Sequence, residues 1–267
     1  MNVGTMADHP SPLHGRALIT GGSSGLGLTF ARQLADRGLD LVLVARNEQR
    51  LEEVATDLRA RGVDVEVLAA DLGDDDGVRS VAQRLGSQES PINVFVNNAG
   101  AGLYTRMATA DPTALLEGTQ LMARAPMVLG GAAAAAMKER GAGVIINTSS
   151  MAGAAPMGAY SAIKAFVRVW SDSLAIEVGK FGVHVVTFIP GWVRTEFHQR
   201  SGVSTSSIPN WLWLDAERVV AECLSDVDAG KTTSTPSKRF KVIGFLAKHA
   251  PASLVKVVVK KLNKGRR

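Results

Sequence analysis

RALITGGSSGLGLTFARQLADRG, residues 16–38, reads as a short apolar strand, a glycine-rich turn and an amphipathic helix. Gly21, Gly25 and Gly27 fall in the spacing GxxxGxG. Glycine closes such a turn tightly and lets a ligand approach the backbone. A helix opening there offers free amides and the positive end of its dipole to a phosphate. Taken alone the pattern is equally an ordinary turn. Its place directly after the first strand of an α/β pattern makes it a dinucleotide signal.

The alternation continues outward from that unit. Strands are predicted at 40–45 (DLVLVA), 65–70 (VEVLAA), 92–97 (INVFVN), 143–149 (GVIINTS) and 183–190 (VHVVTFIP), with a seventh at 231–236. Helical patterns lie between them near 25–37, 47–61, 75–86, 111–139 and 160–181. Nearly continuous apolar strands alternating with helices predict an α/β fold, a doubly wound parallel sheet buried on both faces. No repeat or linker divides the chain. One domain is expected over 16–237, after a disordered lead-in (1–15) and before a basic amphipathic extension (238–267).

The chain has 267 residues, 46% of them hydrophobic, enough for one full core and too apolar for disorder. No apolar run reaches the roughly 20 residues of a membrane helix, and the first fifteen residues lack the layout of a signal peptide. A single cysteine, Cys223, excludes an internal disulfide and is read as a core residue. These features point to the cytoplasm. The formal net charge of +5 is uneven: residues 238–267 hold ten Lys or Arg and no acid, leaving 20 basic against 25 acidic residues elsewhere.

Tyr160 and Lys164 lie four apart on one face of a predicted helix. A phenol titrates near 10 in water, and a neighbouring ammonium lowers that value. Such a pair suits proton exchange with a carbonyl or alcohol oxygen. The second strand ends at Ala45-Arg46, where an acidic residue would select NAD by binding the ribose hydroxyls. A neutral residue beside a guanidinium suits the additional phosphate of NADP instead. No His, Cys or carboxylate cluster has metal-ligand spacing, so no catalytic metal is expected.

TGGSSGLG (20–27), NNAG (97–100), Tyr160-x-x-x-Lys164 and PGWVRT (190–195) occur in that order, and together they resemble the short-chain dehydrogenase/reductase family over roughly residues 16–228. The resemblance implies a Rossmann-type sheet of seven parallel strands and a nicotinamide cofactor. It implies that the turn from Gly21 through Ser23, Ser24, Gly25 and Leu26 to Gly27 holds the pyrophosphate. Asp71, with Leu72 beside it, would meet the adenine, and Asn98, Ala99 and Gly100 would pass along the cofactor. Pro190 and Gly191 would shape the nicotinamide pocket, and Val193 and Thr195 would touch its carboxamide. Tyr160 would be the acid/base, Lys164 would hold the ribose and lower the Tyr160 pKa, and Ser150 would bind the substrate oxygen, with Ser149 as its alternative. Relatives commonly form dimers or tetramers.

Two departures stand out. Ser150 precedes Tyr160 by only ten residues, so the intervening loop is shorter than the family's and could displace the serine. Met122 stands where many members carry an asparagine that organises a relay water. A cofactor-binding scaffold with weak turnover is therefore the alternative function.

The expected reaction is NADP-dependent reduction of a carbonyl to a secondary alcohol, or its reverse, on an apolar substrate. Trp211, Leu212, Trp213 and Leu214 fall in the family's variable substrate loop and read either as an apolar lid or as packing; His198 could face the pocket. In the tail, Lys256, Lys260 and Lys264 repeat every four residues opposite Val255, Val258, Val259 and Leu262. That pattern could rest on an anionic membrane, which would place the protein at the inner face, or be a solvated face. Without aromatics or a recognised module, the tail is not expected to bind nucleic acid.

Overall fold

A computed structural model describes residues 11–196 and 209–249, with Pro251 and Val259. One sheet of seven parallel strands organises it, in the order β3-β2-β1-β4-β5-β6-β7. The strands are β1 (Arg16–Thr20), β2 (Asp40–Ala45), β3 (Val65–Ala69), β4 (Val94–Asn97), β5 (Gly143–Thr148), β6 (Val183–Phe188) and β7 (Thr233–Ser234). The helices are α1 (Gly25–Ala35), α2 (Glu48–Arg59), α3 (Asp75–Gly86), α4 (Thr113–Thr119), α5 (Ala125–Arg140), α6 (Ala159–Val178), α7 (Ala216–Asp228) and α8 (Lys238–His249).

Period-two side-chain alternation builds two cores from one apolar sheet. Ile19, Leu43, Val96, Ile146 and Phe188 face one side, against Phe30 and Leu34 of α1, Leu51 of α2 and Val220 of α7. Leu18, Val42, Phe95, Ile145 and Val185 face the other, against Val81 of α3, Leu129 of α5 and Leu174 of α6. Phe30 meets Phe188 edge-on with ring centroids 5.5 Å apart. Side chains cap the helices that follow loops: Asn47, Asp74 and Asp215 accept from the amides of Arg50, Gly77 and Arg218. Cys223 is fully buried in the first core, and desolvation raises its thiol pKa.

Several elements depart from the sequence reading. The helix expected over 111–139 is interrupted by a π-helical turn, Gln120–Arg124, between α4 and α5. Pro126 has no N–H to offer the carbonyl of Met122, and the Ala125 amide reaches back to the Gln120 carbonyl instead. β7 keeps only two paired residues of the six expected. Its Ser234 is held from α7, donating to buried Asp226 at 2.7 Å.

Part of the segment expected as a lead-in, 11–15, is described. Residues 1–10 lie outside the described residues, but Leu13 is buried in the first core and the Ser11 hydroxyl donates to Asp228 at 2.6 Å. The basic extension also starts inside the fold: Phe240 of α8 is completely buried, 6.0 Å from the Trp192 ring. Of the tail residues read at four-residue spacing, only Val259 is described, and it is buried. Lys256, Lys260, Lys264, Val255, Val258 and Leu262 lie outside the described residues, as does His198.

Candidate active site

The carboxyl ends of β1 and β4 sit side by side at the centre of the sheet, and Thr20 ties them together. Its hydroxyl accepts from the amides of Asn98 (2.9 Å) and Ala99 (3.0 Å), and the Asn98 side chain donates to the Thr20 carbonyl at 3.1 Å. The turn from Gly21 to Gly27 and the NNAG segment are thereby locked to each other. Gly21 adopts φ 70°, a left-handed conformation, and a Cβ there would lie 3.1 Å from the Asn98 side chain. At Gly27 a Cβ would stand 2.1 Å from the Gly21 carbonyl oxygen, so only glycine fits. Thr195 reaches over the same turn, 3.5 Å from where a Cβ of Gly25 would be. This bare backbone cradle at the start of α1 fits the pyrophosphate of a dinucleotide.

At the neighbouring edge the Arg46 side chain is 79% exposed at the end of β2, with a guanidinium nitrogen 3.9 Å from an Asp71 carboxylate oxygen. Asp71 is oriented by the Gly73 amide, which donates to it at 2.8 Å. Leu26, Leu72 and Val193 turn their side chains into the core.

Tyr160 begins α6, in line with Lys164 one turn on. Despite the shortened loop, the Ser150 hydroxyl is hydrogen-bonded to that of Tyr160. A 3-10 turn at Met151–Ala154 takes up the missing length, with the Ala152 amide donating to the Ser150 oxygen at 3.1 Å. The turn is held to the next strand end by the Met151 amide, which donates to the Pro190 carbonyl at 3.0 Å. Ser149 is occupied elsewhere: its buried hydroxyl donates to the Lys164 carbonyl at 2.7 Å. The structure therefore sets Ser150, and not Ser149, against the phenol.

Lys164 is buried, with its ammonium 2.9 Å from the Thr148 carbonyl and 5.8 Å from the Tyr160 ring centroid. Burial acts against the expected acidification of Tyr160. Part of the ring stays open to the cleft, yet desolvation raises the phenol pKa above its ordinary value, and nearby Tyr104 raises it further. Ser150 opposes that shift without overcoming it. Burial likewise disfavours the Lys164 charge and lowers its pKa to about 8.

A folded-state pKa below that of the free lysine means the unfolded chain binds more protons in between. The Lys164 contribution to stability therefore grows as pH rises from about 8 towards about 10.4. Above about 10 the raised Tyr160 pKa works against stability. Thermal unfolding should accordingly show the wild type gaining on Lys164→Met between pH 7 and 9.5. A constant difference across that range would contradict the buried ammonium.

Five supporting residues escaped the sequence reading. Besides Thr20, buried Asn97 donates to the Pro126 carbonyl (2.9 Å) and to Asn147 (3.0 Å), which donates on to Ser171 of α6 at 3.1 Å. That chain of amides fixes β4, β5 and α6 relative to one another. Tyr104 is the other tyrosine of the chain and sits beside the first, half exposed; having only two tyrosines is the one sequence signal that could have flagged it. Met122 packs with Leu103, Ile163 and Tyr160, and its sulfur accepts from the Ala101 amide at 3.4 Å. The thioether thus holds the segment after NNAG, a positioning task distinct from organising water.

The loop after Pro190 carries the variable segment. The Leu214 amide donates to the Trp192 carbonyl (2.8 Å) and the Arg194 amide to the Leu214 carbonyl (2.9 Å). Leu214 is buried and Leu212 packs on the core, so these two are packing residues. Arg194 stacks 5.5 Å from the Trp213 ring, and Trp211 is 60% exposed.

Residues 16–204 match the family model for short chain dehydrogenases. The chain belongs to the short-chain dehydrogenase/reductase family. It is an NAD(P)-dependent oxidoreductase acting on alcohol- or ketone-type substrates. Among curated relatives of this family it is similar to gluconate 5-dehydrogenase of Gluconobacter oxydans, 31% identical over 74% of this chain and 78% of that protein. It is also similar to the very-long-chain 3-oxoacyl-CoA reductase of Lodderomyces elongisporus, 32% identical over 73% of this chain and 59% of the reductase. Among solved structures, a short-chain dehydrogenase from Sphingobium yanoikuyae in complex with NADPH covers 95% of this chain and 96% of its own, with 30% identity and a TM-score of 0.80.

Proposed function

We propose that this enzyme is an NADPH-dependent reductase of an apolar ketone, with Tyr160 as proton donor. The observation that carries the reading is the Ser150–Tyr160 hydrogen bond, on a chain whose glycine turn fits a dinucleotide. Both hydroxyls converge on one point, where a carbonyl oxygen can accept from each. When bound, the reduced nicotinamide supplies a hydride to the carbonyl carbon. Tyr160 gives its proton to the oxygen, and Ser150 holds that oxygen as negative charge develops on it. Lys164 lies one turn further along, where a cation favours the phenolate left behind. A phenol is protonated at neutral pH, the form that reduction requires. This convergence favours catalysis over a scaffold role.

Arg46 is the basis for NADP over NAD: its exposed guanidinium is free to turn from Asp71 to a ribose phosphate. The relative acting on very-long-chain 3-oxoacyl-CoA supports a lipid-like ketone. A homodimer or homotetramer would cover the exposed Met127 and Val128 of α5 and Phe166, Val169 and Ile176 of α6.

The test is a ketone panel assayed with NADPH and with NADH. Turnover of apolar ketones with NADPH is expected. Arg46→Ala should weaken NADPH by about 10- to 100-fold, the worth of charge-assisted hydrogen bonds, and leave NADH unaffected. Equal loss with both nucleotides would remove Arg46 from the site, and no turnover of any ketone would return the scaffold reading.

A further inference from the structure

We propose that the outer face of α8 is a docking surface for an anionic lipid bilayer. The inner face of this helix is fixed by its contacts. Phe240 fills the space over Gly191, where a Cβ would stand 2.4 Å from the ring, and Gly244 lies against Met151. What turns outward is apolar: Val242, Phe245 and Leu246 are 58, 63 and 59% exposed. A helix that simply faces water carries polar residues there. Three large apolar side chains together mark a contact surface.

The charges beside them point to the partner. Lys238 and Lys241 are exposed, Lys241 beside Glu222 of α7, and residues 238–267 contain ten Lys or Arg and no acid. Apolar side chains centred among cations match the boundary where acyl chains lie under anionic headgroups. A second copy of this chain fits less well, because a two-fold contact would set lysines against lysines. A small soluble anion would use the cations but has no need of Phe245 and Leu246. α8 is anchored to the fold by buried Phe240 and would lie along a bilayer. Among the described residues no helix is long and apolar enough to span one.

The position gives this surface a purpose. α8 packs on the turn that follows Ser150 and on the segment that follows Pro190, so the cleft opens beside the docking face. Exposed Trp211 belongs to the segment paired with Trp192 and Arg194. A long-chain ketone would then reach Tyr160 from the lipid phase without crossing water. That consequence rests on the apolar-substrate reading above, whereas the docking itself does not.

Full-length protein is to be floated with vesicles of phosphatidylcholine alone, or of phosphatidylcholine mixed with phosphatidylglycerol, at low and high salt. Flotation is expected with the mixed vesicles at low salt. Replacing Val242, Phe245 and Leu246 together by Ser should cut the bound fraction about tenfold. These positions are exposed, so melting temperature and nucleotide binding should be kept; Phe245→Ser alone serves if the triple variant fails to fold. Lys238→Gln with Lys241→Gln should weaken binding and its salt dependence. The proposal is overturned if the wild type stays unbound on mixed vesicles, if the serine variant floats as well as the wild type, or if the substitutions change the oligomeric mass instead. Reduction of a short water-soluble ketone separates the two readings: a serine variant that reduces it normally but no longer floats upholds docking, and a wild type that floats without reducing any ketone defeats the catalytic reading alone.

Discussion

Tyr160→Phe is expected to lower kcat for ketone reduction by about 10²- to 10⁴-fold, the usual worth of a positioned general acid. Only the hydroxyl is removed. The ring packs beside Met122 and Ile163, and phenylalanine preserves that packing. Nucleotide affinity should therefore stay within about threefold of the wild type, because the interaction lost is realised in the transition state. Steady-state kinetics with calorimetric nucleotide binding distinguish the two quantities. A variant that turns over normally would dismiss Tyr160 as the acid. Equal loss of binding and turnover would mean that the hydroxyl supports the fold or the cofactor rather than the chemistry. Ser150 would be left hydrogen-bonding nothing at that point, so a small change in stability is part of the expectation.

Gly27→Ala should have the second large effect, by a different route. The added methyl would meet the Gly21 carbonyl at 2.1 Å, and the Asn98 amide lies 2.8 Å away. Backbone cannot swing aside as a side chain end can, so either the turn opens or the NNAG segment parts from Thr20. Overpacking of this kind costs about 3 kcal/mol at the upper end of its usual range. Nucleotide affinity is expected to fall at least about 100-fold, since the same displacement spoils the cradle. Calorimetry and thermal unfolding read both effects. Wild-type nucleotide affinity in this variant would show that the turn does not form the pyrophosphate site.

Local pattern made the fold legible. β1, β2 and α3 fall where apolar runs and turn residues place them, because burial on both faces makes parallel strands conspicuous. What could not be read depended on contacts distant in sequence. Leu13 and Phe240 sit in segments that look polar or basic, and only the tertiary structure shows their burial. β7 is short, and its Ser234 is held by Asp226 of α7 as well as by β6. The break in the helix over 111–139 had a local sign in Pro126, but Pro is also common at the start of a helix, where it does no harm. At the site, spacing gave the Tyr160–Lys164 pair its shared helix face. It could not reveal that burial raises the phenol pKa, which depends on desolvation rather than on spacing. Nor could the ten-residue interval from Ser150 to Tyr160 show that a 3-10 turn restores the contact.

The strand order has a consequence for how the polypeptide is made. β1 pairs locally with β2, Arg16 opposite Asp40, but its other neighbour is β4, with Ala17 opposite Val94. A nascent chain emerging from the ribosome can assemble β1, β2 and β3 while the second edge of β1 is still bare. That edge exposes the apolar run from Ala17 to Ile19 until Val94–Asn97 has been synthesised, and unpaired strand edges of this kind invite intermolecular pairing. Arrival of the fourth strand covers that edge of β1 and creates the crevice beside Thr20, and the bare edge then passes to β4 until Gly143–Thr148 pairs with it, so the nucleotide cradle is completed before the sheet is protected.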